Sequence, residues 1–209
     1  IALAILILIF NIRLPFYVNA PGGTININNR IEYQDKKEYK GSLNMLYVTE
    51  YVASIPFYLL SHIIPDWDLE SIKENQVSST ESVEEINKRN KILLENSINN
   101  ATYVAYKSAN KKIEITKTKY VVVAVTKENG LKIGDEILEV EGKKVSSLEM
   151  IKQTIEEKNV GDEINLKIKR NNKEQEVVAK IEKEENKKAL GVMIVTNYNL
   201  KPEKEVKLK

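Results

Sequence analysis

The 209-residue chain contains no cysteine and one histidine. Without cysteine there is no disulfide, no thiolate metal site and no Cys nucleophile. With His62 as the sole histidine, a Ser-His-Asp set would have to be built around it. That residue lies between Ser61 and Ile63 in an apolar stretch, which suits a packed or interfacial histidine better than a catalytic base. Glycine is sparse, with 8 residues, and none is arranged as a phosphate-cradling loop; Gly22-Gly23 reads as a turn. An excess of one charge is missing too. There are 32 Lys and Arg against 30 Asp and Glu, interleaved as on a solvated surface, which excludes a nucleic-acid footprint. The lysines stand in polar, alternating surroundings, unlike the desolvated lysine a serine–lysine dyad needs. No metal-ligand spacing is present. The chain is therefore expected to hold no catalytic residue, no metal and no cofactor.

The longest apolar run opens the chain as IALAILILIF. Ten such residues rise about 15 Å as a helix, half of a hydrocarbon core of about 30 Å. The first residue is Ile1 rather than Met, so a transmembrane anchor, truncated over residues 1–12, is the expectation. Two alternatives stay open. Val18 and Ala20 have the small-residue spacing of a signal peptide, though Pro21 opposes cleavage. A buried core helix is opposed by Asn11, Arg13 and Pro15.

Beyond the anchor, RLPFYVNAPGG (13–23) is expected to run extended into a turn. Strands are expected over Thr24–Ile31 and Gly41–Thr49, the latter with Leu43, Met45 and Tyr47 on one face. Residues 50–64 read as an amphipathic helix or interfacial segment interrupted by Pro56, and 66–82 as a polar loop. A long helix spans 83–109, with Ile86, Leu93, Leu94, Ile98, Ala101, Val104 and Ala105 at three-to-four spacing. It is expected to pack on the strands of 24–49.

From Ile113 the apolar period changes from helical to two. Tyr120–Val125 forms a strand, and LKIGDEILEVEGKKV (131–145) follows. In it Gly134 permits an unusual backbone angle, and Asp135 closes the turn by bonding to nearby amides. Ile137, Leu138 and Val140 make a buried strand, and Glu141-Gly142 supplies a tight turn. Ser146-Ser147-Leu148-Glu149 has capping-box spacing for a helix with Leu148, Ile151 and Ile155 inward. Asn159 and Gly161 can end that helix. A hairpin joins Ile164, Leu166 and Ile168 to Val177, Ala179 and Ile181 through Asn171-Asn172. ALGVMIV (189–195) is a last buried strand entered at Gly191.

This order, with Leu131, Gly134, Asp135, Ile137, Leu138, Val140, Gly142, Val145, Gly161, Asp162, Leu166 and Arg170 in place, resembles a bacterial PDZ domain over residues 113–196. One departure is the short loop TKENG, where relatives usually carry a longer stretch with Ser-Pro-Ala. The resemblance implies an α+β chain. Its expected form is a PDZ-like, partly open β-barrel with a capping helix, preceded by an α/β membrane-proximal region (13–112) and the truncated anchor. It also implies a peptide groove in which an extended chain adds beside a sheet edge and a glycine loop captures a terminal carboxylate. Ala189-Leu190-Gly191-Val192 is the candidate loop, continuing to Met193, and Leu148, Ile151 and Ile155 are the opposite wall. The same three helix residues would serve equally as core, and Gly191 as a tight strand entry.

With the apolar start, LPFYVNAPGG and EEINKRNKILLENSINNATYVAYKSA, the whole resembles the membrane-anchored PDZ–Lon-like serine proteases of Gram-positive bacteria. In that family a Lon-type domain with a serine–lysine dyad follows the PDZ domain, its serine in a Pro-Ser-Ala-Gly stretch. No such stretch occurs here, and residues 197–209 would begin the linker to it. The resemblance implies a substrate-recognising part of an extracytoplasmic endopeptidase, single-pass in the cell membrane, with a peptide or protein as partner. The alternative is a non-enzymatic, membrane-tethered module that recruits a partner protein.

Overall fold

The computed structural model of the chain describes residues 2–33, 41–184, 187–203 and 206–208. The chain divides into two compact units, one of Ile1–Asn75 with Lys204–Lys209, the other of Gln76–Glu203.

The first unit opens with helix α1 (Ala2–Asn11) and strand β1 (Arg13–Asn26). A single 3-10 turn (Ile27–Asn29) leads to the short β2 (Ile31–Tyr33). Then come β3 (Asn44–Ser54), α2 (Ile55–Ser61), β4 (Asp68–Ser71) and α3 (Ile72–Asn75). β1 is the centre of an antiparallel sheet ordered β3-β1-β4. The stretch expected to end in a turn at Gly22-Gly23 is therefore strand. The reason is steric: a Cβ on Gly22 would stand 2.2 Å from the Tyr47 carbonyl oxygen on β3, so glycine lets the two backbones close. The ladder to β3 is irregular near Pro15 and again between Pro21 and Gly23, where proline supplies no N–H. Pro56 does not interrupt a helix but begins one, in the first turn of α2, where its missing N–H costs nothing. The segment 66–82 is not all loop. β4 and α3 are held by Glu70, which accepts from Asn19 Nδ2 at 3.1 Å and Asn75 Nδ2 at 2.8 Å.

Among the described residues no helix is long and apolar enough to cross a membrane. α1 itself has ten residues, and the expectation of a truncated span finds no support in it.

The second unit begins at a loop organised by the buried Glu81–Arg89 ion pair, with Glu81 also accepting from the Val77 N–H at 2.8 Å. Helix α4 (Val83–Ser108) starts at a capping box, Ser82 with Glu85. Then follow β5 (Ile113–Val125), β6 (Glu136–Val140), β7 (Lys143–Lys144), α5 (Leu148–Glu156), β8 (Glu163–Arg170), β9 (Lys173–Lys180), β10 (Glu182–Glu184), β11 (Lys187–Ala189) and β12 (Val192–Pro202). β13 (Val206–Leu208) returns to the first unit and pairs with β2. The main sheet runs β12-β5-β6-β8-β9, and β7 pairs with β6. Its core joins Val122, Ile137, Val140, Ile151, Ile155, Ile164, Leu166, Ile168, Ile181 and Leu190. The architecture is mixed α+β with the expected sheet and capping helix.

α4 packs on β5 and β12 of its own unit. Its buried positions are Ile86, Arg89 and Tyr106, whereas Leu94, Ile98 and Val104 face solvent. The physical reason lies in β12. Asn99 Nδ2 donates to Asn197 Oδ1 at 2.9 Å and to the Tyr198 carbonyl at 3.0 Å, so the seam is polar where an apolar stripe was expected.

Candidate functional site

The geometry that matters centres on β12 and what holds it. Leu190 is buried, and its carbonyl accepts from Asn129 Nδ2. Asn129 Oδ1 in turn accepts from the Leu131 N–H at 3.0 Å. The short TKENG loop thus clamps the entry to β12. Gly191 follows with φ +66°, and its carbonyl accepts from the amides of Thr126 at 2.8 Å and Lys127 at 3.3 Å. A Cβ there would meet Lys127 Cβ at 2.9 Å. The residue is buried, so a side chain at 191 strains the fold as well as any nearby binding surface.

Which backbone groups of β12 face outward follows from the ladder. Val192 lies opposite Val125, and the bond across them runs from Thr126 N to Gly191 O. That is the pattern of a non-hydrogen-bonded antiparallel pair, so the N–H and C=O of Val192 point away from β5. Ile194 lies opposite Val122, whose own N–H and C=O are engaged by Asp135 and Gly134 on the other side, at 2.9 and 2.8 Å. Ile194 therefore turns its polar groups outward as well. β12 ends the sheet, and among the described residues no strand pairs with this edge.

Partly buried apolar side chains of β12 and α5 pack against one core. Val192 and Ile194 on β12 and Leu148 on α5 are half-buried and pack against the core, while Met193 points out and is exposed. Ile151 and Ile155 on the inner face of α5, with Leu190, belong to the buried core itself. Leu148, Val192 and Ile194 are partly accessible apolar groups that pack against the core to which Leu190, Ile151 and Ile155 belong. Ile194 was missed in the sequence reading. The period-two alternation Leu190, Val192, Ile194 was the available signal.

α5 is set by two devices. Its N-cap is Ser147 rather than Ser146, and the Ser147 hydroxyl accepts from the Met150 N–H at 3.1 Å. The Ser146 carbonyl instead accepts from the Tyr120 hydroxyl. At the other end the helix stops at Glu156, and Lys188 Nζ on β11 donates to the Glu156 carbonyl at 2.6 Å.

An ion pair explains the Gly-Asp and Arg signature. Asp135 is fully buried and accepts from the Lys132 N–H at 2.7 Å, closing the turn that Gly134 opens at φ +91°. Arg170, at the end of β8, grips Asp135 through Nε at 2.8 Å and a terminal nitrogen at 2.6 Å, and that nitrogen also donates to the Gly130 carbonyl. Hydrogen bonding to Asp135 holds the guanidinium pKa above its ordinary value, with burial opposing. The pair locks β5, β6 and β8 together and is structural in geometry. Asp162 repeats the turn, accepting from the Asn159 N–H at 2.7 Å after Gly161 at φ +96°. His62 belongs to the first unit and is exposed at the end of α2. Among the described residues no group of His, Cys, Asp and Glu has a metal-binding arrangement.

The PDZ domain family model matches residues 104–181, so the chain contains a PDZ domain. The match begins inside α4 and stops before β12. Among solved structures, the PDZ domain of an SdrC-like protein from Listeria monocytogenes is 23% identical, covers 39% of this chain and 93% of its own, and superposes with a TM-score of 0.36. The PDZ domain of an SdrC-like protein from Listeria innocua is 27% identical, with 36% and 92% covered and a TM-score of 0.34. A structure from Geobacillus thermodenitrificans is 25% identical, with 35% and 92% covered and a TM-score of 0.32. No curated protein matches the chain.

Proposed function

We propose that the Gln76–Glu203 unit binds an extended peptide as an added strand along the outer edge of β12. A PDZ domain implies peptide or protein binding. The observation that carries the location is the outward backbone of both Val192 and Ile194, each offering a donor and an acceptor on an edge whose side chains pack against the same core as the half-buried Leu148. A peptide strand there would place alternate side chains over Leu148, Val192 and Ile194. Leu190, Ile151 and Ile155 act behind them as support.

The test is amide-resolved NMR of residues 76–203 titrated with a peptide library containing both free C-termini and internal sequences. The amides of Val192 and Ile194 shift and gain exchange protection, while that of Val195 keeps its ladder behaviour. Shifts confined to another edge, or no binding across the library, would refute the site. The two peptide classes distinguish terminal carboxylate capture at Leu190–Gly191 from strand addition alone.

The finer reading rests on the sequence resemblance of residues 13–112. In it the bound peptide is a substrate selected for a Lon-like serine protease domain, and α1 holds the chain at the outer face of a membrane. The membrane part rests on that resemblance together with the apolar composition of residues 1–10. A reading frame that continues past Lys209 into Pro-Ser-Ala-Gly and a lysine would support the protease part. A partner-recruiting module without a protease is the outcome if it does not.

A further inference from the structure

The first unit leaves uncovered an apolar surface that one helix alone does not explain. α1 exposes Leu3 and Ile7 on one side and Leu8, 62% exposed, on another. A helix apolar on several sides is suited to surroundings that are apolar all round, not to a protein groove that covers one face. α1 contacts α2 and β3 within the unit. On α2 and its last turn Leu59 is 57% exposed and Ile63 is 75% exposed, with Leu60 beside them. Residues 43–65 carry one charged side chain, Glu50, in a chain that is 30% charged. Elsewhere the exposed surface is studded with Lys and Glu, so this face is not built for water or for an ionic partner.

The polar groups at the end of α2 are also already satisfied. Ser61 Oγ donates to the Tyr58 carbonyl at 2.7 Å, and His62 Nδ1 donates to the same oxygen at 2.8 Å. The amides of His62, Ile63 and Ile64 donate to the Leu59 and Leu60 carbonyls. A turn with its donors engaged internally loses little on leaving water. The Tyr58 ring lies 4.9 Å from that of His62, and Phe57 lies 6.0 Å from Tyr51 and 6.2 Å from Trp67; tyrosine and tryptophan are the amphipathic rings that settle at a membrane–water boundary.

We propose that Leu59, Leu60 and Ile63 form a second lipid-contact site, seated in the interfacial layer of the same bilayer that receives α1. This rests on the reading that α1 meets a membrane, and it fixes the first unit against the bilayer at two points instead of one.

Trp67, the only tryptophan, reports on it. The full chain is mixed with phosphatidylcholine–phosphatidylglycerol vesicles, with and without phosphatidylcholine brominated high in the acyl chain. Binding is followed by co-sedimentation, Trp67 by fluorescence quenching, and folding by circular dichroism. The wild type binds and Trp67 is quenched. The variant L59S/L60S/I63S, whose changes fall on exposed positions, still sediments through α1 but loses the quenching. In an I7K/L8K background, vesicle affinity then falls a further tenfold or so when the three α2 residues are replaced. Wild-type binding without Trp67 quenching overturns the proposal and leaves the α1 reading standing, as does equal quenching in the triple variant. No vesicle binding at all overturns both. A dimer that the triple variant dissolves, with Trp67 unquenched, overturns the proposal in favour of a second copy on this face.

Discussion

Three residues carry the turn at the heart of the PDZ domain. Gly134 holds φ +91°, and a Cβ there would also crowd the Lys88 side chain at 2.7 Å. The lysine can move; the backbone cannot. Gly134→Val is therefore expected to cost about 1–3 kcal/mol in urea unfolding of residues 76–203. Arg170→Met leaves the buried Asp135 carboxylate without its charged partner and is expected to cost about 3 kcal/mol in the same measurement. Glu141 makes a different kind of test. Its carboxylate accepts from the Asn165 N–H at 2.8 Å and lies 3.2 Å from Lys158, and chiefly the first of these holds its pKa below the ordinary value. A depressed carboxyl stabilises the fold above its unfolded pKa of about 4.3 and ceases to as pH falls through its lower folded pKa. The stability gap between wild type and Glu141→Gln is accordingly present at neutral pH and closes in acid. A gap that stays constant from pH 7 to below pH 4 would mean the carboxylate contributes nothing through its charge. The glycines and Asp135 were legible in the sequence because local sterics dictate them. The partnership of Asp135 with Arg170 was not, since 35 residues separate them and only the sheet brings them together.

At the scale of elements, what could be read depended on whether a pattern had one cause. The β8–β9 hairpin was legible because Asn171-Asn172, at φ +51° and +63°, belongs to a two-residue turn that few other pairs adopt. α4 was legible as a helix but not in its orientation. Its apolar spacing suggests one face, whereas its buried positions are Ile86, Arg89 and Tyr106, and Asn99 pairs with β12. β1 was misread because prolines and paired glycines are turn signals in isolation, and only the close approach of Tyr47 shows why they sit in a strand. The edge of β12 depends on register, which no local pattern encodes. The seam between α4 and β12 gives a measurable consequence. Asn99→Leu removes the donor to Asn197 Oδ1, a side chain that is nearly fully buried, and to the Tyr198 carbonyl. The expected loss is about 1–2 kcal/mol. Asn99→Leu combined with Asn197→Val, which removes the buried amide too, is expected to recover part of it. Equal losses in the single and double variants would show the seam is held by the neighbouring apolar contacts alone.

For the whole molecule, the division of contacts sets what can be separated. The first unit has a small core of Tyr17, Val18, Ala20, Ala53 and Ile72, whereas the second has a continuous one across sheet and α5. Stability should therefore reside mainly in residues 76–203, since burial of apolar surface is the dominant favourable contribution. Within that unit α4 is structural, not a linker. It buries Ile86 and Tyr106 and it supplies the hydrogen bonds to Asn197 and Tyr198 on the strand whose outer edge is proposed to take a peptide. A fragment of 76–203 is expected to melt in one cooperative transition. A fragment of 113–203 exposes the face of β5 and β12 that α4 covers, and it should melt at lower temperature. If α4 also steadies the β12 edge, the shorter fragment binds the peptides found for the longer one more weakly, even at temperatures where circular dichroism shows both folded. Calorimetry with peptide titration separates the cases. Identical melting points for the two fragments would show that α4 is dispensable to the fold. Identical affinities would show that β12 is fixed by β5 alone.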